Sequence, residues 1–424
     1  MNPYRNLGSA MLLVLTGLGS GLMAEDQPAA ASASTSDQLH QLQERINALE
    51  REVKALQAQP APVQNPAAPA ATAAAPARSD PSLEARVWKL EADSLTDDGF
   101  SIGGVGDVTL TMQKGMGYTA SGDFNPIFLY SYKDTVLFVA ELNADQDGVA
   151  LGQAWVAYTA LPHLVLEAGL FPIPFGIYSE RLSPTWINKF STLAPAPYNE
   201  DYGVFSGDQN VDGAQVRGEV AIANMARLSY HIFVAAPPTY NGPDNADPDN
   251  RLAFGNLETT HVPPTIGVRV GLLPSPIAEV GLSAMSGRII NNQTVDPTID
   301  DGARRSFTAV DIDGQYRLER IQIRGEAVRL NYQDPSGARQ HSQGLYLQAS
   351  RRLDDLQGWL GGLEPTLRAG RMQRSLSDNG FQDVSEIGVG VNYYATSFIR
   401  TSLMAMAASV HGEDLLAVNT TFTF

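Results

Sequence analysis

From Phe100 to Phe424 apolar and polar residues alternate in segments of about ten residues, interrupted by Gly, Pro, Asn and Asp. In SFTAVDIDGQYRL, Val310, Ile312 and Tyr316 fall on one side, and Asp311, Asp313, Gln315 and Arg317 on the other. In VRGEV, Arg217 and Glu219 oppose Val216 and Val220; in IQIRGEA, Gln322, Arg324 and Glu326 oppose Ile321, Ile323 and Ala327. A period of two marks β-strands with unlike faces. Sixteen such strands are predicted, at 100–113, 124–133, 135–144, 149–161, 164–171, 210–220, 226–236, 264–273, 278–289, 306–319, 321–333, 343–353, 363–373, 385–396, 398–410 and 413–424.

The connectors sort by parity. Tight ones follow even strands, around Asp134, Pro162-His163, Ala223-Asn224, Pro274-Ser275, Arg320 and Ser397. Long ones follow odd strands, at 172–209, 237–263, 290–305, 334–342 and 374–384. Asp354–Gly362 is long for an even connector. An even-stranded up-and-down barrel with both termini in the periplasm has this arrangement, with short periplasmic turns and longer outer loops. A soluble barrel turns its apolar face inward, whereas in lipid that face points outward and leaves a polar lumen. The expected fold is therefore all-β, a transmembrane antiparallel up-and-down barrel of about sixteen strands spanning 99–424.

Ahead of the barrel the period changes. Arg5 precedes an apolar or small stretch from Met11 to Met23, and Ala24 offers a cleavage site, so residues 1–24 read as an export signal. Within 25–59, apolar residues recur at Leu39, Leu42, Ile46, Leu49, Val53 and Leu56, spaced 3, 4, 3, 4, 3, a short periplasmic coiled-coil seam. β-Branched Ile46 and Val53 at one seam position favour two strands. The run from Arg45 to Glu50 instead resembles a trimer-specifying pattern, in which the Arg meets a Glu of the neighbouring helix, and three chains are the preferred expectation. Residues 60–98 form an Ala/Pro-rich linker with a short helical patch at Leu83–Leu90.

Composition narrows the function. Forty-six acidic against 29 basic residues give a net charge of −17, which argues against a general nucleic-acid binder. With no cysteine there is no disulfide framework, thiolate metal site or Cys nucleophile. The six histidines are scattered and no G-x-S-x-G motif accompanies them, so neither an enzyme nor a cofactor is expected. NADQDG and PDNADPDN carry oxygen ligands of the kind calcium takes, but they read as solvated loop tips and no metal is assigned.

Alternation nominates inward wall charges: Arg217, Arg227, Arg269, Arg317, Arg324, Arg352 and Arg368 against Glu141, Glu167, Glu219, Asp311, Asp313 and Glu326. The 172–209 connector is too apolar for a solvated loop, and with the end of the fifth strand it nominates Phe171, Pro174, Phe175, Gly176, Trp186, Tyr198 and Tyr202 as a constriction loop packed partly inside the barrel. An arginine face opposite an acidic loop would set up a transverse field.

The chain ends LLAVNTTFTF, and Phe422 and Phe424 resemble the C-terminal signal read by the machinery that inserts outer-membrane barrels. Gly169, Phe171, Pro174, Phe175 and Gly176, within residues 164–190, resemble the strand and Gly-x-Phe/Leu-x-x-Pro-Phe-Gly turn of phosphate-selective (O/P-type) and related sixteen-stranded porins. FNPIFLYSYKDTVLFVAELN, GQAWVAYTAL and IGVGVNYYATSFIRTSLMAM are similar to the same family. The resemblance implies a homotrimeric, general or anion-preferring diffusion channel for small solutes, set among lipid and lipopolysaccharide in a Gram-negative outer membrane. The family's lysine cluster is represented here only by Lys114, Lys133 and Lys189. The competing reading is an envelope organiser, in which the barrel is an anchor and the coiled coil reaches periplasmic or peptidoglycan partners.

Overall fold

The computed structural model describes residues 99–424 except 116, 134, 192, 200–201, 207–209, 224, 241–250, 256–261, 291–304, 336, 376–380 and 410–413. The export signal, the coiled coil (Leu39, Leu42, Arg45, Ile46, Leu49, Glu50, Val53, Leu56), the linker and the PDNADPDN segment lie outside these residues.

Sixteen strands form one closed antiparallel barrel. They are β1 (Gly99–Gln113), β2 (Gly117–Tyr132), β3 (Val136–Asp145), β4 (Gly148–Leu161), β5 (Leu164–Pro172), β6 (Asn210–Ala223), β7 (Ala226–Ala235) and β8 (Thr265–Ser275). The second half comprises β9 (Ala278–Arg288), β10 (Ser306–Leu318), β11 (Ile321–Gln333), β12 (Arg339–Arg351), β13 (Leu363–Ser375), β14 (Phe381–Tyr394), β15 (Ile399–Ala408) and β16 (Leu415–Thr423). Each strand pairs with its chain neighbours, and β1 closes on β16 from Val105↔Thr423 to Gln113↔Leu415. Closure leaves no unpaired edge, the condition for a sheet in hydrocarbon.

The strand count agrees with the sequence pattern, while several outer ends differ. β2 begins at Gly117 rather than 124, and the β1–β2 connector is short. Thr119, Ala120, Ser121 and Gly122 are small on both faces, so period two cannot show there. β12 and β14 likewise start four residues early, at Arg339 and Phe381. The even connector after β12 holds a 3₁₀ turn at Gly358–Gly362 that exposes Trp359.

The two faces are unlike, as a membrane requires. On β8, Ile266, Val268, Val270 and Leu272 point outward and stay exposed, while Thr265 and Arg269, at alternate positions, are buried inside. Leu282 on β9 and Leu347 on β12 are 60% and 59% exposed. The inward face is not polar throughout. Toward the long-connector end it carries Val211, Phe233, Met285, Phe307, Leu330, Met372 and Val384, all buried. Against this patch pack Phe175 and Phe205 from the β5–β6 connector and Tyr240 and Leu252 from the β7–β8 connector. Three two-residue strands tie these connectors together: Phe205–Ser206, Leu252–Ala253 and Thr239–Tyr240. The apolar wall residues thus mark where loops fill the barrel.

Candidate constriction site

The β5–β6 connector folds into the barrel because its sequence supplies an apolar side for the inner patch and carbonyls and carboxylates for wall arginines. It turns at Gly176, whose φ of 72° lies in the left-handed region that favours glycine. A Cβ there would stand 1.7 Å from Glu326 Oε1. The Gly176 N–H donates to Ser283 Oγ at 3.0 Å. A π-helical turn at Tyr178–Leu182 follows, then a 3₁₀ turn at Ala196–Tyr198. Wall glycines make room: a Cβ at Gly388 would lie 2.8 Å from the Phe190 ring, and one at Gly344 3.0 Å from Pro197.

Three arginines hold the loop. Arg269 on β8 donates to Glu180 Oε2 at 2.7 Å, to Asp313 at 2.6 and 3.1 Å, and to Glu279 at 3.2 Å. Arg368 on β13 donates to the Leu193 and Ala194 carbonyls at 2.8 and 3.0 Å, pairs with Glu386 at 3.2 Å and covers the Phe190 ring. Arg400 on β15 donates to the Trp186 and Asn188 carbonyls at 3.2 and 3.0 Å, to Ser191 Oγ at 3.0 Å and to the Thr185 carbonyl. A planar guanidinium with five donors can bind several carbonyls at once, which an ammonium cannot match in geometry.

Wall carboxylates complete the seat. Glu326 accepts the Tyr178 N–H at 3.1 Å, Tyr346 Oη at 3.3 Å and the Tyr198 hydroxyl. Glu386 accepts the Ala196 N–H at 3.0 Å and Tyr202 Oη at 3.1 Å. Glu364 accepts Lys189 Nζ at 3.2 Å and Tyr394 Oη at 2.6 Å. Burial pushes the Tyr198 hydroxyl well above its ordinary value, and neighbouring Glu326 and Asp311 push the same way, so it serves as a neutral donor. Burial by itself would raise the Glu180 carboxyl, but Arg181, His231 and Arg269 outweigh it and hold the group well below the usual carboxylate range. His231 Nε2 stands 3.1 Å from Glu180 Oε1.

Among the nominated wall charges, Arg269 meets Asp313, Arg217 meets Glu167 at 2.9 Å, and Arg227 meets Glu219 at 2.8 Å. Glu326 and Arg368 seat the loop. Glu141 on β3 receives Gln153 Nε2 at 2.5 Å. Arg324 on β11 is 2% exposed and faces the Gln348 amide, whose oxygen, turned toward it, accepts at 2.9 and 3.1 Å. Asp311 on β10 is buried beside Glu326. Arg317 lies at the short-turn end of β10, and Arg352, just past β12, stacks on the Tyr394 ring at 3.9 Å.

Of the nominated loop residues, Phe171 belongs to β5, where the ladder to β6 still runs. Pro174, Phe175, Gly176, Tyr198 and Tyr202 are buried in the inward fold, while Trp186 is half-buried and offers its carbonyl to Arg400. The expected arginine face across from an acidic loop is not formed: the arginines stand behind the loop and bind it. Sequence reasoning missed Glu279, Glu364, Glu386 and Arg400, all at inward register positions that alternation could have supplied. Glu180 and Arg181 sit in an aperiodic turn, which gives no such signal.

No family model matches the chain, and no curated protein sequence matches it. Solved structures similar to the barrel include an anion-selective porin from Comamonas acidovorans, 10% identical, with TM-score 0.53 over 77% of this chain and 99% of that one. OmpF of Salmonella typhi, solved with daunomycin, is 13% identical with TM-score 0.51 over 77% and 97% of the two chains. The outer membrane channel DcaP of Acinetobacter baumannii is 11% identical with TM-score 0.50 over the same shares. At these identities the likeness is one of fold.

Proposed function

We propose that the chain is a porin, a passive diffusion channel for small hydrophilic solutes in the outer membrane of a Gram-negative bacterium. One observation carries the reading: a closed sixteen-strand barrel, greasy outside, has its interior narrowed by a connector pinned to one side of the wall. Loop and wall form a fixed constriction, and constriction width with lining charge sets what passes. The barrel folds of porins and channels from three other bacteria support this. The run Gly169–Gly176 and the terminal Phe422 and Phe424 support a finer kinship with the O/P-type porins. A homotrimer, insertion by the barrel-assembly machinery, contact with lipopolysaccharide and a periplasmic coiled coil belong to the same proposal. Planar-bilayer recording tests it: stepwise conductance, without lipolysis or peptidolysis, is expected from the purified protein. A bilayer that stays silent, with loss of wall attachment on deleting residues 25–80, would instead favour an envelope organiser.

A further inference from the structure

The lipid-facing side of the barrel is not alike all the way round. On β1 the outward residues Phe100, Ile102, Val108, Leu110 and Met112 are exposed and apolar up to the long-connector end. Tyr118 on β2 and Val149 and Leu151 on β4 continue that surface. On β11, β12 and β13 the apolar run stops earlier. Outward Ile321, Ile323 and Ala327 give way to exposed Arg329 on β11, and Leu367 and Ala369 give way to exposed Arg371 on β13. Between Gln343 and Arg351, β12 turns Leu345, Leu347 and Ala349 outward. That stretch is about 27 Å long, or roughly 20 Å along the membrane normal at the usual barrel tilt, and the apolar band must be about 25 Å tall. The row of Arg329, Gln343 and Arg371 therefore does not stand in bulk water above the membrane. It lies where acyl chains meet headgroups.

The register gathers these side chains. Arg329 stands across from Gln343, Gln343 from Gln373, and Leu345 from Arg371. Gln343 Nε2 donates to Gln373 Oε1 at 3.0 Å, and Gln373 Nε2 to Asp383 Oδ2 at 3.0 Å. Arg371 holds the same carboxylate through Nε at 2.8 Å and Nη2 at 2.5 Å. Among the described residues of β9 to β14, Asp383 is the one outward carboxylate, and these donors occupy it. The side chains of Arg329 and Arg339 are exposed, with no ion pair or hydrogen bond among the described residues. A bare guanidinium at the edge of hydrocarbon calls for an anion, and the described wall offers it none.

We infer that the outer ends of β11 to β13 bind the phosphorylated headgroup of an outer-leaflet glycolipid of the lipopolysaccharide class, with Arg329 and Arg339 as the phosphate ligands. The inference rests on the outer-membrane placement in the channel reading and deepens it by giving the lipid contact a site. The guanidinium fork matches phosphate geometry. Strand spacing sets the Arg329 and Arg371 backbones about 12 Å apart, and the amides of Gln343 and Gln373 between them suit sugar hydroxyls.

The test is native mass spectrometry of the full-length protein in detergent, with bisphosphorylated lipid A as the probe. EDTA is present to remove divalent ions that could bridge lipid to carboxylates. The native protein should hold this lipid about tenfold or more tightly than its dephosphorylated form. Arg329→Gln with Arg339→Gln should erase the difference, while Arg351→Gln, at the short-turn end, should keep it. Equal retention of the two lipids, a preference that survives in the double variant, or retention lost in EDTA would overturn the inference. So would displacement by millimolar inorganic phosphate, which marks a site for the free anion. Lipid retained by a protein that gives no conductance steps would sink the channel and keep the site. Should the double variant lack heat-modifiable migration, the native protein decides: retention should fall with each phosphate removed from the lipid, and a flat series overturns the inference.

Discussion

Arg400 shows how much one side chain can do here. It is 3% exposed and binds three loop carbonyls and one hydroxyl. Arg400→Ala leaves those acceptors without their donor, and a buried polar group left unsatisfied costs about 1–3 kcal/mol. We expect larger and noisier single-channel conductance and proteolytic cleavage within 183–194, with Arg400→Lys restoring little because a point charge lacks the fork. Unchanged conductance in Arg400→Ala would show that the loop is held by other means. Glu180 yields a pH prediction. Its carboxyl is held well below the ordinary glutamate value of 4.5. A lowered folded value means the contribution is complete above 4.5 and is lost as pH falls through the lower value. Loop anchoring at Glu180 is thus expected to persist from neutral pH to about 4.5 and to weaken only in stronger acid. Recordings across that range should show an acid transition that is missing in Glu180→Gln; identical profiles would exclude the assignment.

Among the elements, the seam of β16, β1 and β2 is the most exacting. Phe422 lies over Gly106, where a Cβ would fall 2.1 Å from its Cζ, and Phe424 stacks on Phe124 with ring centroids 5.2 Å apart. Gly106→Val is therefore expected to dislodge the Phe422 ring and lower the temperature at which the folded gel band is lost; a native temperature would refute it. The strands themselves were readable because each face meets a different medium. Arg269 and Asp313 announce an interior between Val268 and Val270 or between Ile312 and the outward Tyr316 two turns of the pleat on. Readability fails where that contrast vanishes. Thr119–Gly122 lies within β2 and looks like a connector, since small residues suit either side. Alternation also placed Glu326 and Arg368 on the inner wall without revealing that a loop lies against them. Their partners Tyr198 and Leu193 come from a stretch with no period, where contacts depend on the closed barrel.

For the whole molecule, the ring of sixteen ladders is complete without any residue before Gly99. Deleting residues 25–80 is accordingly expected to preserve unit conductance while reducing trimer recovery on mild gels. Loss of conductance in a correctly inserted deletion variant would give the N-terminal segment a part in the pore.

The meeting of β1 and β16 has a temporal meaning as well. The amide and carbonyl of Phe424 both exchange hydrogen bonds with Gly104, so β1 stays unpaired on one side until β16 has been made. A chain cut short before Leu415 would keep two open sheet edges with unmet amides and carbonyls, which hydrocarbon does not accept. Joining β1 to β16 thereby acts as a proofreading step: a chain that lacks β16 cannot close its sheet in the bilayer and stays where proteases can reach it.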